Sequence, residues 1–165
     1  MIKLLLLEDD HVLAESLIEL LESENFDIVH VLNSQKALDK TFLQKFDLLL
    51  LDVNVPLFNG FELLKSLRDS GDKTPAIFLT ALTDIASLSK GFDVGADDYI
   101  KKPFDFDELL IRINAILKKQ YHTYSNELTL DDFHFFIEKN ELYKSDIFIP
   151  LTPYELKLVL LFFKN

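Results

Sequence analysis

Five residues scattered along this chain of 165 residues have types and settings that suit one kind of chemistry: Glu8, Asp9, Asp52, Thr80 and Lys102. Each sits at the end of a short apolar run. Glu8-Asp9-Asp10 follows Ile2 to Leu7, Asp52 follows Leu48 to Leu51, Thr80 closes Ala76 to Thr80, and Lys102-Pro103 follows Tyr99 to Lys101. If those runs are parallel strands of one open sheet, their carboxyl ends share the crevice in which such sheets bind ligands. Clustered carboxylates repel each other and raise one another's pKa unless a cation sits between them. Mg²⁺ suits such a set, because it is a hard ion that takes oxygen ligands and keeps several waters. Once phosphate charge is neutralised, a carboxylate can act as a nucleophile towards phosphorus. Lys102 and the Thr80 hydroxyl could then hold the phosphoryl oxygens.

The elements that must position these residues follow from the pattern up to about residue 119. Five short apolar runs, Ile2 to Leu7, Ile28 to Leu32, Leu48 to Leu51, Ala76 to Thr80 and Tyr99 to Lys101, alternate with stretches of helical periodicity. That alternation predicts a parallel sheet wrapped by helices, with strands buried on both faces. Leu13, Leu17, Leu20 and Leu21 fall on one helical stripe, as do Ile85, Leu88 and Phe92, and again Leu109, Ile113, Ile116 and Leu117. These stripes are expected to pack on the sheet as core.

Beyond Lys118-Lys119-Gln120 the pattern changes. Residues 120–127 are polar and read as a linker, after which four strand-like pieces follow without helices between them: Leu128 to Leu130, Phe133 to Ile137, Glu141 to Tyr143 and Ile147 to Leu151. They predict a small antiparallel sheet with a turn at Lys139-Asn140. Thr152-Pro153-Tyr154-Glu155 reads as a capping box with Pro in the first helical turn, opening the apolar run Leu156 to Phe163. Such a unit leaves apolar helix surface uncovered, so residues 128–165 are expected to be the start of a larger domain.

Composition narrows the field. The net charge is −11, with 13 basic and 21 acidic side chains in residues 1–119 and 4 and 7 in residues 120–165. Neither part is the basic footprint that phosphate backbones demand. No apolar run approaches the roughly 20 residues of a membrane span, the first residues lack the features of a signal peptide, and there are no cysteines. A cytoplasmic protein without membrane contact is expected.

Four motifs in order now carry a resemblance: Leu-Leu-Glu8-Asp9-Asp10, Asp52-Val-Asn-Val-Pro56-Leu-Phe-Asn59-Gly60, Leu79-Thr80-Ala81, and Gly95-Ala-Asp-Asp-Tyr99-Ile-Lys-Lys102-Pro103-Phe104. Over residues 1–119 the chain resembles the receiver domain of bacterial two-component response regulators. That resemblance implies a flavodoxin-like, doubly wound five-stranded parallel sheet, with Asp52 taking phosphate from a sensor histidine kinase. It implies that Asp9, Asp52 and the backbone carbonyl of Asn54 ligate Mg²⁺, with Glu8 acting through a water. It also implies that Lys102, before a cis Pro103, contacts the phosphoryl group, and that Thr80 moves towards it while Tyr99 rotates inward. Lys101 lies one place off the pattern, and Asp10 exceeds the acidic pair, so it is read as an exposed acid near a helix N-terminus.

Residues 128–165 resemble the N-terminal part of an OmpR/PhoB-type winged-helix effector domain, best at Leu151-Thr152-Pro153-Tyr154-Glu155-Leu156. The recognition helix and wing of that fold are absent from these residues. Weak DNA affinity or none is therefore expected of this chain, with DNA reached through the complete domain. In that family the face of helix four, strand five and helix five pairs two receivers. Here Lys90, Asp93, Asp97 and Asp98 would meet Glu108, Arg112 and Lys119 of a symmetry mate.

Leu82, two residues past Thr80, offers no hydrogen bond to orient an attacking water. The phosphoryl-aspartate is expected to outlast that of a Leu82→Asn variant, as measured by its decay after small-molecule phosphorylation; equal rates would sink the idea. Two alternatives compete. In a haloacid-dehalogenase-like phosphatase Asp52-Val-Asn54-Val55 would be the nucleophile motif, but Asn54 stands where general acid catalysis needs an acid. A phosphorylation-independent regulator is the other, although all the pocket residues are present. The favoured reading is a phosphoacceptor signalling protein, not a turnover enzyme.

Overall fold

A computed structural model of the chain describes residues 1–165 apart from residues 82–84, 126, 137–138 and 165, and gives the backbone alone for residues 85, 87, 88, 121–125, 127–128 and 163–164. Leu82 and Ile137, and the side chains of Ile85 and Leu88, thus lie outside the described residues.

In the first unit, residues 1–117, five strands alternate with helices: β1 (Ile2–Leu7), α1 (His11–Ser23), β2 (Phe26–Val31), α2 (Ser34–Leu43), β3 (Leu48–Leu51), α3 (Gly60–Asp69), β4 (Ala76–Thr80), α4 (Ile85–Asp93), β5 (Asp98–Lys101) and α5 (Phe106–Ser125). The strands pair in parallel in the order β2-β1-β3-β4-β5. The expected doubly wound sheet is present. Strand periodicity explains its two cores: successive side chains point to opposite faces. Leu4, Leu6, Leu48, Leu50, Ile77 and Leu79 pack on one side with Leu17, Leu21, Leu109 and Ile113. Leu5, Leu7, Leu49, Leu51, Ala76 and Phe78 pack on the other with Phe61, Leu63, Leu64 and Leu67. Each fully buried Leu contributes roughly 1.5–3 kcal/mol against exposure, so both faces of β1, β3 and β4 are strongly specified. No helix among the described residues is long and apolar enough to cross a membrane.

Local signals set the helix starts. Asp10 caps α1, its carboxylate accepting from Val12 N and Leu13 N; Asn33 and Asn59 cap α2 and α3 in the same way. Asp10 is thus a capping residue, which sharpens its reading as an exposed acid. Two expected core positions are corrected: Leu20 is 40% exposed and Phe92 49% exposed. Leu20 lies at the margin of its stripe, where a helix turns its side chains towards water, and in α4 the neighbouring Gly91 is the position that packs against Phe61 and Phe78.

Most of the expected linker segment is helical. Residues 120–125 continue α5, and β6 starts at Glu127. The segment has no Gly or Pro, and each added residue of an existing helix gains a hydrogen bond without a new nucleation cost. The polar composition does not interrupt the helix, and the compact units divide between Leu117 and Lys118.

The second unit is a four-stranded antiparallel meander, β6 (Glu127–Leu130), β7 (Phe133–Phe136), β8 (Glu141–Lys144) and β9 (Ile147–Ile149), followed by α6 (Pro153–Lys164). Ser145 and Asp146, with φ of 46° and 66°, form the two-residue turn between β8 and β9. β9 ends before Pro150, which cannot donate to a ladder. The expected capping box is formed: Thr152 Oγ1 accepts from Glu155 N at 3.3 Å, and the Glu155 carboxylate accepts from Thr152 N at 2.8 Å. Tyr154, Leu158, Leu161 and Phe162 of α6 are exposed.

Candidate functional site

Parallel pairing of β1, β3, β4 and β5 brings their carboxyl ends together, and with them the predicted residues. Glu8 leaves β1 with its N–H donating to Val31 O, Asp52 leaves β3 with its N–H donating to Leu7 O, and Lys102 leaves β5 with its N–H donating to Thr80 O. Backbone bonds between neighbouring strands therefore continue one residue past each strand, so these positions inherit the rigidity of the sheet. The Lys102–Pro103 peptide is cis, as expected.

Lys102 is the hub. Its Nζ lies 2.6 Å from Glu8 Oε2 and 2.9 Å from Asp52 Oδ2, while Lys101 is exposed. Glu8 Oε1 accepts from Asp10 N at 3.1 Å, and Asp52 Oδ1 accepts from Asn54 N at 3.2 Å. Glu8 is 1% exposed, Asp52 6% and Thr80 fully buried. Asp9 and Asn54 are open to solvent, and Tyr99 is half-buried with its ring tilted against Phe78 at 6.4 Å. Burial pushes the Glu8 carboxyl above its ordinary range despite the Lys102 ammonium. Burial works against the Lys102 charge, but the bonds to Glu8 and Asp52 outweigh it and raise its pKa.

Carboxylate oxygens of Glu8, Asp9 and Asp52 lie within 4.8 Å of one another. The donor set is all oxygen and includes an exposed Asp9, which fits a hard divalent ion that retains waters. The Lys102–Glu8 pair was not foreseen, since Glu8 was expected to act only through a water. No linear pattern marks an ion pair formed across 94 positions.

Gly60 opens α3 directly behind Asp52. A Cβ added there would collide with the Asp52 carbonyl oxygen and come within 3.0 Å of Val53 Cα, and backbone atoms cannot swing aside. Gly60→Ala is expected to cost about 2 kcal/mol, read as a lower denaturation midpoint. An unchanged midpoint would refute this close approach.

The residues expected to pair across a dimer are partly engaged within the chain. Arg112 Nη1 lies 2.9 Å from Asp98 Oδ2, and Arg112 Nη2 lies 3.2 Å from Glu108 Oε1. Asp97 Oδ2 accepts from Ala76 N at 2.9 Å and lies 3.9 Å from Arg68 Nη2. Lys90 Nζ sits 5.5 Å from the centre of the Phe61 ring. Asp93 and Lys119 are exposed.

Residues 4–114 match the family model described as the response regulator receiver domain. The chain is 47% identical over 112 residues to the transcriptional regulatory protein CrdR of Helicobacter pylori, a match covering 67% of this chain and 53% of that protein. It is 36% identical over 165 residues to the transcriptional regulatory protein CiaR of Streptococcus pneumoniae, covering 100% of this chain and 73% of the relative. Among solved structures, that of DrrB, a Thermotoga maritima OmpR/PhoB homologue, aligns over 100% of this chain and 73% of its own, with a TM-score of 0.66 and 26% identity.

Proposed function

The chain belongs to the response regulator family of two-component systems, of OmpR/PhoB type, and from that premise we propose that Asp52 accepts a phosphoryl group from a sensor histidine kinase. Residues 1–119 then act as the switch, and residues 128–165 as the N-terminal part of the effector domain through which transcription is controlled. The observation that carries this reading is the placing of Lys102 Nζ against both Glu8 and Asp52 at three strand ends.

The chemistry follows from the side chains. An Asp52 carboxylate oxygen attacks phosphorus as the bond from phosphorus to the kinase imidazole nitrogen breaks, and the electron pair leaves with that imidazole. Asp9, Asp52 and the Asn54 carbonyl, with Glu8 through a water, would hold Mg²⁺, which when bound offsets phosphate charge. Lys102, already charged and beside Asp52, would turn its ammonium to a phosphoryl oxygen, a charge-assisted bond. Thr80, at the end of β4, would add its hydroxyl, and Tyr99 would rotate inward along Phe78. A covalent phosphate with such contacts biases a two-state equilibrium by its differential interaction with the two states.

The output is pairing of two copies through the face of α4, β5 and α5. Because Arg112 already holds Asp98 and Glu108 within the chain, pairing would exchange or share these bonds rather than satisfy free charges. DNA contact belongs to the complete effector domain, and these acidic residues bind it weakly or not at all. The protein acts in the cytoplasm, where the kinase's phosphorylated domain is reached. Membership of a family of signalling proteins, and an Asn54 side chain without an ionisable group, support this reading over the phosphatase alternative.

The test is exposure of the chain to acetyl phosphate and Mg²⁺, followed by intact-mass measurement and peptide mapping. One phosphoryl group held as an acyl phosphate at Asp52 is expected. A chain that stays unmodified, or one that hydrolyses phosphomonoesters with turnover, would overturn the proposal.

A further inference from the structure

Two side chains from the corner between β2 and α2, unused in the chemistry above, each grip the backbone of a loop that carries pocket residues. His30, half-buried on the edge strand β2, places Nε2 2.8 Å from the main-chain carbonyl oxygen of Glu8. A carbonyl oxygen only accepts, so Nε2 carries the proton and donates. Ser34, fully buried at the start of α2, donates from Oγ to Pro56 O at 3.0 Å and accepts from Phe58 N at 3.1 Å. Those two backbone groups flank Leu57, whose φ is 81°.

A left-handed Leu is unfavourable because its Cβ crowds the backbone. Such a conformation persists where the surroundings over-determine it. Ser34 spans the turn and satisfies a donor on one side of Leu57 and an acceptor on the other. The β1–α1 loop bearing Glu8 and Asp9, and the β3–α3 loop that follows Asp52 and Asn54, are thus tied to the same corner.

We propose that His30 and Ser34 are positioning residues that set the spacing of these two loops and, through it, the affinity of the acidic pocket for a divalent cation. The inference rests on the metal-binding reading of the pocket given above. Its physical reason is that a small dication requires its oxygen ligands at short, closely defined distances. Glu8 and Asp9 come from one loop and Asp52 and Asn54 from the other, so slack between the loops is slack in the site. Neither His30 nor Ser34 touches a carboxylate; both act through the main chain.

The test is titration of the full chain with Mn²⁺ as a stand-in for Mg²⁺, with free ion followed by electron paramagnetic resonance, for the parent, His30→Leu, His30→Gln and Ser34→Ala. His30→Leu and Ser34→Ala are expected to bind about tenfold more weakly, the usual effect of losing a group behind a metal ligand. His30→Gln, whose side-chain amide can donate from a similar position, is expected to stay near the parent. If Ser34→Ala fails to fold, the His30 pair decides. Equal affinities in all chains that fold would overturn the proposal while leaving the metal reading intact. Weakening in His30→Gln as large as in His30→Leu would also overturn it, because the donated bond would not be the cause. A parent chain that takes up no Mn²⁺ would overturn both.

Discussion

Asp52→Asn is expected to abolish phosphoryl uptake from acetyl phosphate, leaving the mass of the chain unchanged under conditions that modify the parent. The substitution keeps the shape of the side chain but removes the anionic oxygen, and a neutral amide oxygen is a poor nucleophile towards phosphorus. Its surroundings sharpen the expectation. Asp52 Oδ2 is 2.9 Å from Lys102 Nζ and Oδ1 accepts from Asn54 N, and an Asn can place its carbonyl oxygen towards one of these donors. Packing should therefore survive. The variant also carries one negative charge fewer in a set held within 4.8 Å, so weaker Mn²⁺ binding is expected together with the loss of uptake. Parent-like phosphorylation of Asp52→Asn would move the acceptor to another carboxylate, such as the exposed Asp9 of the same cluster, and would sink the assignment.

Lys102→Met is expected to cost about 3 kcal/mol of folding stability near neutral pH, the order of magnitude for breaking one side of a buried ion pair. Glu8 and Asp52, 1% and 6% exposed, would face each other without the ammonium between them. The pH dependence has a definite sign. The Lys102 pKa is raised in the folded chain because its bonds to Glu8 and Asp52 outweigh the effect of burial. Its stabilising contribution is therefore fully present below the unfolded value and lost as pH rises through the folded one, at the alkaline end.

Glu8 is also raised, by burial. The folded chain holds that proton more tightly than the unfolded chain, so its contribution is present below the ordinary carboxyl pKa and lost as pH climbs through the raised value. Without Lys102 the Glu8 carboxyl should rise further, and that loss should deepen. The gap between parent and variant is thus expected to be small in acid, where the Glu8 carboxyl is protonated, and to widen towards neutral pH. Added Mg²⁺ should narrow it. Denaturant unfolding across a pH series reads all three effects, and a gap that is flat with pH would show that the ion pair is not what Lys102 contributes.

Much of the first unit is legible in the chain because its signals are local. Leu48 to Leu51 and Ala76 to Leu79 are apolar on every residue, and the observed strands, Leu48–Leu51 and Ala76–Thr80, have the expected bounds. A strand covered on both faces needs no alternation, and its ends are marked where charged or polar residues begin. Thr152 to Glu155 is equally local, since its two hydrogen bonds close within four residues. Boundaries were less legible where composition and conformation part company. The polar stretch after Lys119 reads as a linker, yet the backbone continues its helix to Ser125, because helix propagation depends on the preceding turn and not on burial. Leu20 misleads in the opposite sense: periodicity gives a stripe, but the width of the covering sheet decides which edge of that stripe is wet.

For the site, the sequence by itself determined which groups are available and which strand end each occupies: two acids after β1, one after β3, a hydroxyl closing β4 and a lysine after β5. It did so because strand ends and polar punctuation are read residue by residue. Only the tertiary structure decided how these groups engage. Lys102 bonds directly to Glu8 and Asp52, Arg112 turns to Asp98 of its own chain, and His30 and Ser34 grip the backbones of the Glu8 and Leu57 segments. Most of these contacts join residues more than 20 positions apart, so they depend on strand order and register, and a side chain's chemistry does not name its partner until the sheet has placed the two within reach.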